Sequence, residues 1–227
     1  MTRLTWLSHG GWIIENNHHR LLIDPFLTDN PAAVTSADQL KDVDHILISH
    51  GHFDHVADAA SIAKQNNATI IAIYEIAEWF ANTQSVQSTV GMNIGGQIEL
   101  AWGSIKMTPA FHSSQLPDGT YGGEPAGFVV TIDGKRMYFA CDTALFGDMK
   151  LYADNVDIAV LPIGDVFTMG IEDSITATKL INAKTVLPAH YGTWPPIAQD
   201  ANDWADRIRN ETDAEPVVLG VGESITF

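Results

Sequence analysis

The chain has 227 residues, of which 45% are hydrophobic, so it is long enough to bury a substantial core as one unit. Its 12 Lys and Arg residues face 28 Asp and Glu residues, and the formal net charge is −16. Binding to nucleic acid requires a basic surface that neutralises phosphates, so this charge argues against a nucleic-acid partner. It also disfavours attachment to anionic membrane surfaces.

The sequence contains no linker, low-complexity tract or internal repeat, which predicts a single domain over residues 1–227. The N-terminus lacks the basic and apolar regions of a signal peptide, and no apolar run approaches the ~20 residues that span a bilayer. The single cysteine, Cys141, cannot form an intrachain disulfide. We therefore expect a cytoplasmic protein without membrane insertion, and we leave a homo-oligomer open.

Short apolar or alternating segments between turn residues predict the β-strands. In chain order the predicted strands are 4–7, 12–15, 20–23, 44–49, 70–73, 97–102, 105–108, 128–132, 136–140, 158–163, 185–187, 217–219 and 224–227. Helical spacing predicts helices at 57–66, 75–81, 145–152, 174–182 and 197–210. Interleaved strands and helices indicate an α/β or a layered α+β fold, and this pattern alone does not separate the two.

One segment after a predicted strand concentrates metal-binding side chains. It reads His50-Gly51-His52-Phe53-Asp54-His55, which places four candidate ligands in six residues. In an extended or turn conformation, positions i and i+2 point the same way, so the first two histidines can converge on one ion while the Asp and the last His turn toward a second. Imidazole with carboxylate suits zinc, manganese, iron or nickel. The simplest alternative is a histidine-rich surface loop.

This H-x-H-x-D-H spacing resembles the metallo-β-lactamase superfamily, which expects four further residues in a fixed order. The chain supplies all four, each at the end of an apolar run: Asp24, His112, Asp142 and His190. A narrower resemblance, to the UPF0173 metal-dependent hydrolases, covers nearly the whole chain. It rests on the segments 7–11, 23–27, 161–165, 167–170 and 188–193.

The resemblance implies an α+β fold of the αββα type, a four-layer sandwich of two mixed β-sheets flanked by helices. It also implies two divalent metal ions, with zinc preferred and manganese, nickel or iron left open. A hydroxide that bridges the two ions would cleave an ester, lactone or phosphodiester bond in a small molecule. The implied ligands are His50, His52 and His112 for one ion, Asp54, His55 and His190 for the other, and Asp142 as the bridge.

Four residues have candidate roles beside metal ligation. Asp54 is placed to orient the hydroxide and to accept its proton. Asp24 would accept a hydrogen bond from a ligand imidazole or its loop, or would simply form a turn before Pro25. The resemblance puts His9 near the metals, whereas a lone histidine is more simply a hydrogen-bonded core residue. Tyr191 could donate to an oxyanion or serve in ordinary packing.

Two other functions remain open on the same fold. The first is a diiron redox enzyme, but flavodiiron sites carry acids where this chain has His52 and His55, which favours hydrolysis. The second is a non-catalytic metal-binding or ligand-binding module, although no expected ligand is missing. The Gly- and Pro-rich segment 115–127 is predicted to act as a mobile lid. It contains no Lys or Arg, which favours a carbonyl substrate over a phosphate.

Overall fold

The structure is a computed structural model that describes residues 1–16 and 18–227. These residues fall into two compact units. The first unit comprises Met1–Gly96, Ser113–Pro125 and Leu219–Phe227, and the second comprises Gln97–His112 and Ala126–Val218. Among the described residues each unit contains one seven-stranded sheet and three α-helices. That residues 1–227 form a single domain stays a prediction.

Runs of consecutive strands are interrupted by helices along the chain. The strands are β1 Arg3–Ser8, β2 Gly11–Glu15, β3 Arg20–Ile23, β4 His45–Ile48, β5 Thr69–Ile73, β6 Thr89–Met92, β7 Gln97–Leu100, β8 Gly103–Pro109, β9 Ala126–Ile132, β10 Lys135–Phe139, β11 Ile158–Pro162, β12 Thr185–Ala189, β13 Glu215–Pro216 and β14 Ser224–Thr226. The helices are α1 Phe53–Val56, α2 Ala59–Asn66, α3 Tyr74–Asn82, α4 Met149–Ala153, α5 Ile171–Ile181 and α6 Ala201–Glu211.

The sheet of the first unit has the order β14-β1-β2-β3-β4-β5-β6. Its pairings are antiparallel from β14 to β3 and parallel from β3 to β6. Two antiparallel steps restore the strand direction, so β1, β3 and β4 all run the same way. Their carboxyl ends therefore lie along one edge of this sheet.

The sheet of the second unit repeats this pattern with the order β7-β8-β9-β10-β11-β12-β13. Its pairings are antiparallel from β7 to β10 and parallel from β10 to β13. By the same reasoning, β8, β10 and β12 run in one direction and end at one edge. Both sheets are mixed and carry helices, which confirms the α+β class expected from the sequence.

Buried apolar side chains hold each sheet and its helices together. In the first unit, Ile46, Leu47 and Ile48 of β4 are fully buried, as expected for a strand with parallel neighbours on both sides. In the second unit, Trp204 of α6 is buried in the core, and its indole N–H donates to Ser174 Oγ of α5 at 3.0 Å. The indole thus contributes packing area without leaving a buried donor unsatisfied.

Most predicted strands lie within two residues of the observed ones, and four segments differ. The predicted strand 217–219 is irregular, because the chain passes there from the second unit to the first. The short edge strand β6 was not predicted, since its sequence contains Gly91 and has little alternation. The predicted helices 145–152 and 197–210 begin later, at Met149 and Ala201. Asp200 caps the second of these, because its side chain accepts the first free backbone N–H groups.

Candidate metal centre

In the first unit, the candidate site residues leave the carboxyl ends of β1, β3 and β4. His9 follows β1, Asp24 follows β3, and the motif that begins at His50 follows β4. Because these three strands run in the same direction, the sheet brings residues that are distant in sequence to one edge. All three side chains are buried.

Asp24 anchors the motif through three contacts. Its Oδ1 accepts the Ser49 backbone N–H at 2.8 Å, and its Oδ2 accepts the Ser49 hydroxyl at 2.5 Å. The same Oδ2 lies 2.9 Å from His55 Nδ1. A carboxylate that holds one ring nitrogen fixes the imidazole so that its other nitrogen, Nε2, is presented for a metal. These contacts are those expected of a residue that orients a ligand.

His9 and Asp54 form a second buried pair. His9 Nε2 lies 3.0 Å from Asp54 Oδ2, and that oxygen is 3.7 Å from His55 Nε2. The His9 carbonyl accepts the Trp6 indole N–H at 3.1 Å, and the His9 ring packs edge-on against Phe26 with centroids 5.7 Å apart. His9 is therefore fixed in position, and through it so is one oxygen of Asp54.

The motif itself is partly helical. His50 Nε2 lies 2.9 Å from His52 Nδ1, so the two imidazoles converge as the i, i+2 spacing predicts. His52 has an extended backbone and precedes α1, a single helical turn that carries Asp54 and His55. The extended or turn conformation expected for the motif therefore holds for His50 and His52 only, because the helix begins inside the motif. The turn brings His55 back beside His50, with ring centroids 4.1 Å apart.

The second unit carries the other three candidate ligands at the ends of β8, β10 and β12. His112 follows β8, Asp142 follows β10, and His190 follows β12. Asp142 Oδ2 lies 3.0 Å from His190 Nε2 and 3.7 Å from His112 Nε2. Asp142 and His190 are buried. Asp142 Oδ2 thus faces the Nε2 atom of each of two imidazoles.

Left-handed backbone conformations accumulate at these strand ends. His9, Asp24, Cys141 and His190 all have φ between 42° and 54°. Such conformations cost about 1–3 kcal/mol each in non-glycine residues and cluster at functional sites. Gly164 is required by the same crowding, since a Cβ at this position would lie 2.1 Å from the His190 carbonyl oxygen. The backbone is therefore strained where the ligands must be aimed.

The residues fit a divalent transition metal. Buried carboxylates are stable only when they are paired or coordinated, and Asp24, Asp54 and Asp142 each have an imidazole nitrogen within 3.0 Å. Imidazole and carboxylate donors suit zinc, manganese, iron and nickel better than calcium or magnesium. Ligand atoms of Asp24, His50 and His55 also lie within 4.8 Å of one another in the first unit.

Tyr191 follows His190 and packs against the core of the second unit. Burial raises the pKa of its hydroxyl to about 12. The phenol therefore stays protonated at neutral pH, as a hydrogen-bond donor must. Both roles predicted for Tyr191, donation to an oxyanion and ordinary packing, are compatible with this position.

Sequence reasoning missed Ser49 and Thr143, two hydroxyl residues beside the ligands. The Ser49 hydroxyl contacts Asp24 and also lies 2.9 Å from His50 Nδ1. Thr143 Oγ1 accepts the Phe111 N–H at 2.9 Å, and the Thr143 carbonyl accepts the Met169 N–H at 2.9 Å. The only signal for either residue was its position next to a ligand.

The segment predicted as a mobile lid is a hydrogen-bonded hairpin from residue 114 to residue 122. Gln115 and Tyr121 form a β-bridge, and the Leu116 N–H donates to the Thr120 carbonyl at 2.9 Å. The Trp79 indole N–H of α3 donates to Asp118 Oδ2 at 2.7 Å. This segment is therefore tied to the first unit at its tip as well as at its base.

No helix in the described part of the chain is long and apolar enough to cross a membrane.

Comparisons with known proteins agree with this arrangement. The family model described as the beta-lactamase superfamily domain matches residues 19–191. A "UPF0173 metal-dependent hydrolase" of Pelotomaculum thermopropionicum is 45% identical over 98% of this chain and 99% of its own length. The solved structure of Igni18, described as a novel metallo hydrolase from the archaeon Ignicoccus hospitalis, has a TM-score of 0.88 at 35% identity and covers 100% of this chain and 98% of its own.

A more distant structure identifies the fold alone. YhfI of Bacillus subtilis, described as a metallo-beta-lactamase fold protein, has a TM-score of 0.77 at 12% identity, with 99% of this chain and 98% of its own covered. The expected metallo-β-lactamase type of α+β fold is thereby confirmed. The family match, the close relative and the ordered ligand positions together lead to one assignment. The chain belongs to the beta-lactamase superfamily and, within it, to the UPF0173 metal-dependent hydrolases.

Proposed function

We propose that this protein hydrolyses an ester, lactone or phosphodiester bond in a small molecule with the help of two divalent metal ions. The observation that carries the proposal is the position of Asp142, whose Oδ2 faces His190 Nε2 at 3.0 Å and His112 Nε2 at 3.7 Å. A single carboxylate between two imidazoles is the arrangement expected of a ligand that two ions share. A diiron redox enzyme is disfavoured by the imidazoles at His52 and His55.

In this proposal both ligand sets act on the same pair of ions, as the family pattern requires. Zinc is the preferred metal, and manganese, nickel and iron suit the same donors. When bound, two such ions lower the pKa of a shared water and polarise the bond to be cleaved. The proposed ligands are His50, His52 and His112 for one ion, Asp54, His55 and His190 for the other, and Asp142 for both.

The surrounding residues would orient the ligands and move the proton. Asp24 holds His55 at Nδ1 and aligns the start of the motif through Ser49. His9 holds Asp54 at Oδ2, and the Asp54 carboxylate would accept a proton from the attacking water. Tyr191, protonated across the physiological range, would donate to the oxygen that becomes negative.

The charge of the molecule supports a small-molecule substrate. A net charge of −16 disfavours nucleic acid, and a chain with one cysteine is suited to the cytoplasm. These are the partner and the location that we propose.

The test is hydrolysis by the full-length protein after chelation and after reloading with Zn²⁺ or Mn²⁺. The substrates are a 4-nitrophenyl ester, a simple lactone and bis(4-nitrophenyl) phosphate. We expect chelation to abolish turnover of at least one of them and reloading to restore it, whereas Asp142→Ala should not be restored. Equal rates with and without metal would contradict the proposal, and so would metal-dependent oxygen consumption without hydrolysis.

A further inference from the structure

Three apolar side chains of the second unit are exposed in loops that follow β8 and β11. Phe111 is 60% exposed, Val166 is 66% exposed and Phe167 is 55% exposed, whereas most large apolar residues of this unit are buried. Phe111 directly precedes His112, and the Val166–Phe167 pair follows β11, the neighbour of β10 and β12 in the sheet. Exposed apolar groups of this kind mark binding surfaces.

Both loops that carry these side chains are tied to Thr143, the residue after Asp142. The Phe111 N–H donates to Thr143 Oγ1 at 2.9 Å, and the Ala144 N–H donates to the Phe111 carbonyl at 3.0 Å. The Met169 N–H donates to the Thr143 carbonyl at 2.9 Å and thereby holds the end of the second loop. Thr143 is fully buried, so both loops rest on a fixed point beside a ligand.

The loop from Asp165 to Met169 holds its apolar tip outward. Asp165 Oδ1 accepts the Val166 N–H at 2.8 Å, and the Asp165 N–H donates to the Met169 carbonyl at 3.1 Å. Val166 has φ = 55°, a left-handed conformation that a β-branched residue rarely adopts. Met169 is fully buried and anchors the loop, whereas Val166 and Phe167 point to solvent. The loop thus contains a strained backbone conformation at Val166, a residue whose apolar side chain is exposed.

The Phe111 ring packs against a second aromatic ring. It stacks at a tilt on Phe146, which is buried, with centroids 4.8 Å apart. The first unit has a comparable feature at its own ligands, where Phe53 stands between His52 and Asp54 and is 55% exposed. Its ring meets buried Phe26 edge-on at 5.8 Å. In each unit, an exposed aromatic side chain next to a ligand packs against a buried aromatic ring.

The ligand-bearing segments contain no cationic side chain. No Lys or Arg occurs in residues 5–16, 23–40, 49–63, 109–127, 140–149, 163–171 or 189–203. Recognition of a phosphate or carboxylate group relies on such cations. A neutral group with an apolar surface matches what these segments offer.

We propose that Phe111, Val166 and Phe167 form an apolar platform that binds the uncharged acyl or alkyl part of the substrate. The substrate class is then a neutral carbonyl ester or lactone with a chain of several carbons, in preference to a phosphodiester. The choice of bond rests on the proposed hydrolase function, whereas binding of the apolar chain does not.

Binding can be measured without turnover by calorimetry of metal-loaded protein with butanamide, octanamide and octyl phosphate. Each buried methylene strengthens binding about two- to fourfold, so octanamide should bind at least about tenfold more tightly than butanamide. The double variant Phe111→Ser with Phe167→Ser should lose most of this ratio. Leu151→Ser should keep it, because Leu151 is 77% exposed on α4 and belongs to neither loop. Octyl phosphate should lose affinity in the double variant as octanamide does, because its alkyl chain would use the same platform while its phosphate would bind the ions.

Turnover gives a second, independent readout. The kcat/KM ratio of 4-nitrophenyl octanoate to 4-nitrophenyl butyrate should fall in the double variant and stay unchanged in Leu151→Ser. Equal binding of both amides to the wild type, or an unchanged length ratio in the double variant, would each overturn the platform. The platform would also be overturned if the double variant kept its length ratio but was monomeric where the wild type is dimeric. The exposed side chains would then form a contact between copies of the chain. If the wild type hydrolyses no ester, lactone or phosphodiester, the proposed function fails. The ratio of octanamide to butanamide affinity still tests the platform in that case.

Discussion

At the scale of single residues, aspartate has two different roles at this site, and the contacts of each aspartate decide which role it has. Asp24 uses both oxygens to accept from Ser49 and to hold His55, so it is committed to fixing other groups. Asp54 has one oxygen held by His9 at 3.0 Å, and its side chain is less deeply buried than that of Asp24. The less deeply buried carboxylate is the better placed of the two to accept a proton from an attacking water.

Asp54→Asn separates metal binding from proton transfer, because it keeps the size and one oxygen donor while removing the charge and the basicity. With both ions restored at high metal concentration, we expect turnover to remain about 10²–10⁴-fold slower than that of the wild type, as is typical of lost general-base catalysis. Turnover and metal content are measured on the same sample. Asp203→Asn, an exposed position on α6, serves as the control. Near-normal turnover in a two-metal Asp54→Asn protein would rule out the proton-accepting role.

At the scale of secondary structure, the sequence predicted what depends on local pattern. Strands such as β3 and β5 were predicted correctly because a buried apolar run between turn residues favours a strand. The candidate ligands were proposed because each one follows such a run, and their roles stay a prediction. The roles of Ser49 and Thr143 were not found, since each depends on a partner far away in sequence, 25 residues for Ser49 and Asp24 and 32 residues for Thr143 and Phe111. The helical turn α1 was missed because a four-residue helix gives no periodic signal.

The three N-terminal strands share a charged contact that should make stability depend on pH. Glu15 accepts from Arg3 at 2.7 Å and from Arg20 at 2.7 Å, which connects β1, β2 and β3. Burial tends to raise the pKa of Glu15, but the hydrogen bonds and charges of the two arginines outweigh it, and the pKa is lowered from 4.5. A carboxyl group whose pKa is lower in the folded state stabilises that state above the unfolded-state pKa. This stabilisation is lost as the pH falls through the folded-state pKa.

Glu15→Gln should therefore lower the free energy of unfolding at pH 7 by about 1 kcal/mol. The difference from the wild type should shrink below about pH 4 and vanish when Glu15 is protonated in both states. Urea unfolding of chelated protein at several pH values measures this, with Glu78→Gln on the exposed face of α3 as the control. A difference that is constant from pH 7 to pH 3 would mean that packing, rather than charge, accounts for the effect.

At the scale of the whole molecule, the chain builds the same sheet twice. Each sheet has antiparallel pairings followed by parallel ones, and in each the ligands leave strands that run in one direction. The site residues of the first unit, after β1, β3 and β4, and those of the second unit, after β8, β10 and β12, are therefore placed by the same topological rule. This repetition accounts for ligands that come from both halves of a sequence without an internal repeat.

The central claim is a two-metal centre with Asp142 as the shared ligand, and elemental analysis of protein purified without chelator tests it most directly. We expect about two divalent ions per wild-type chain, about one in His112→Ala and in His190→Ala, and fewer than one in Asp142→Ala, because one carboxylate serves both ions. His18→Ala, an exposed position outside the site, should keep the wild-type content. Loss of a single ion in all three ligand variants, or a wild-type chain that binds no metal, would contradict the account.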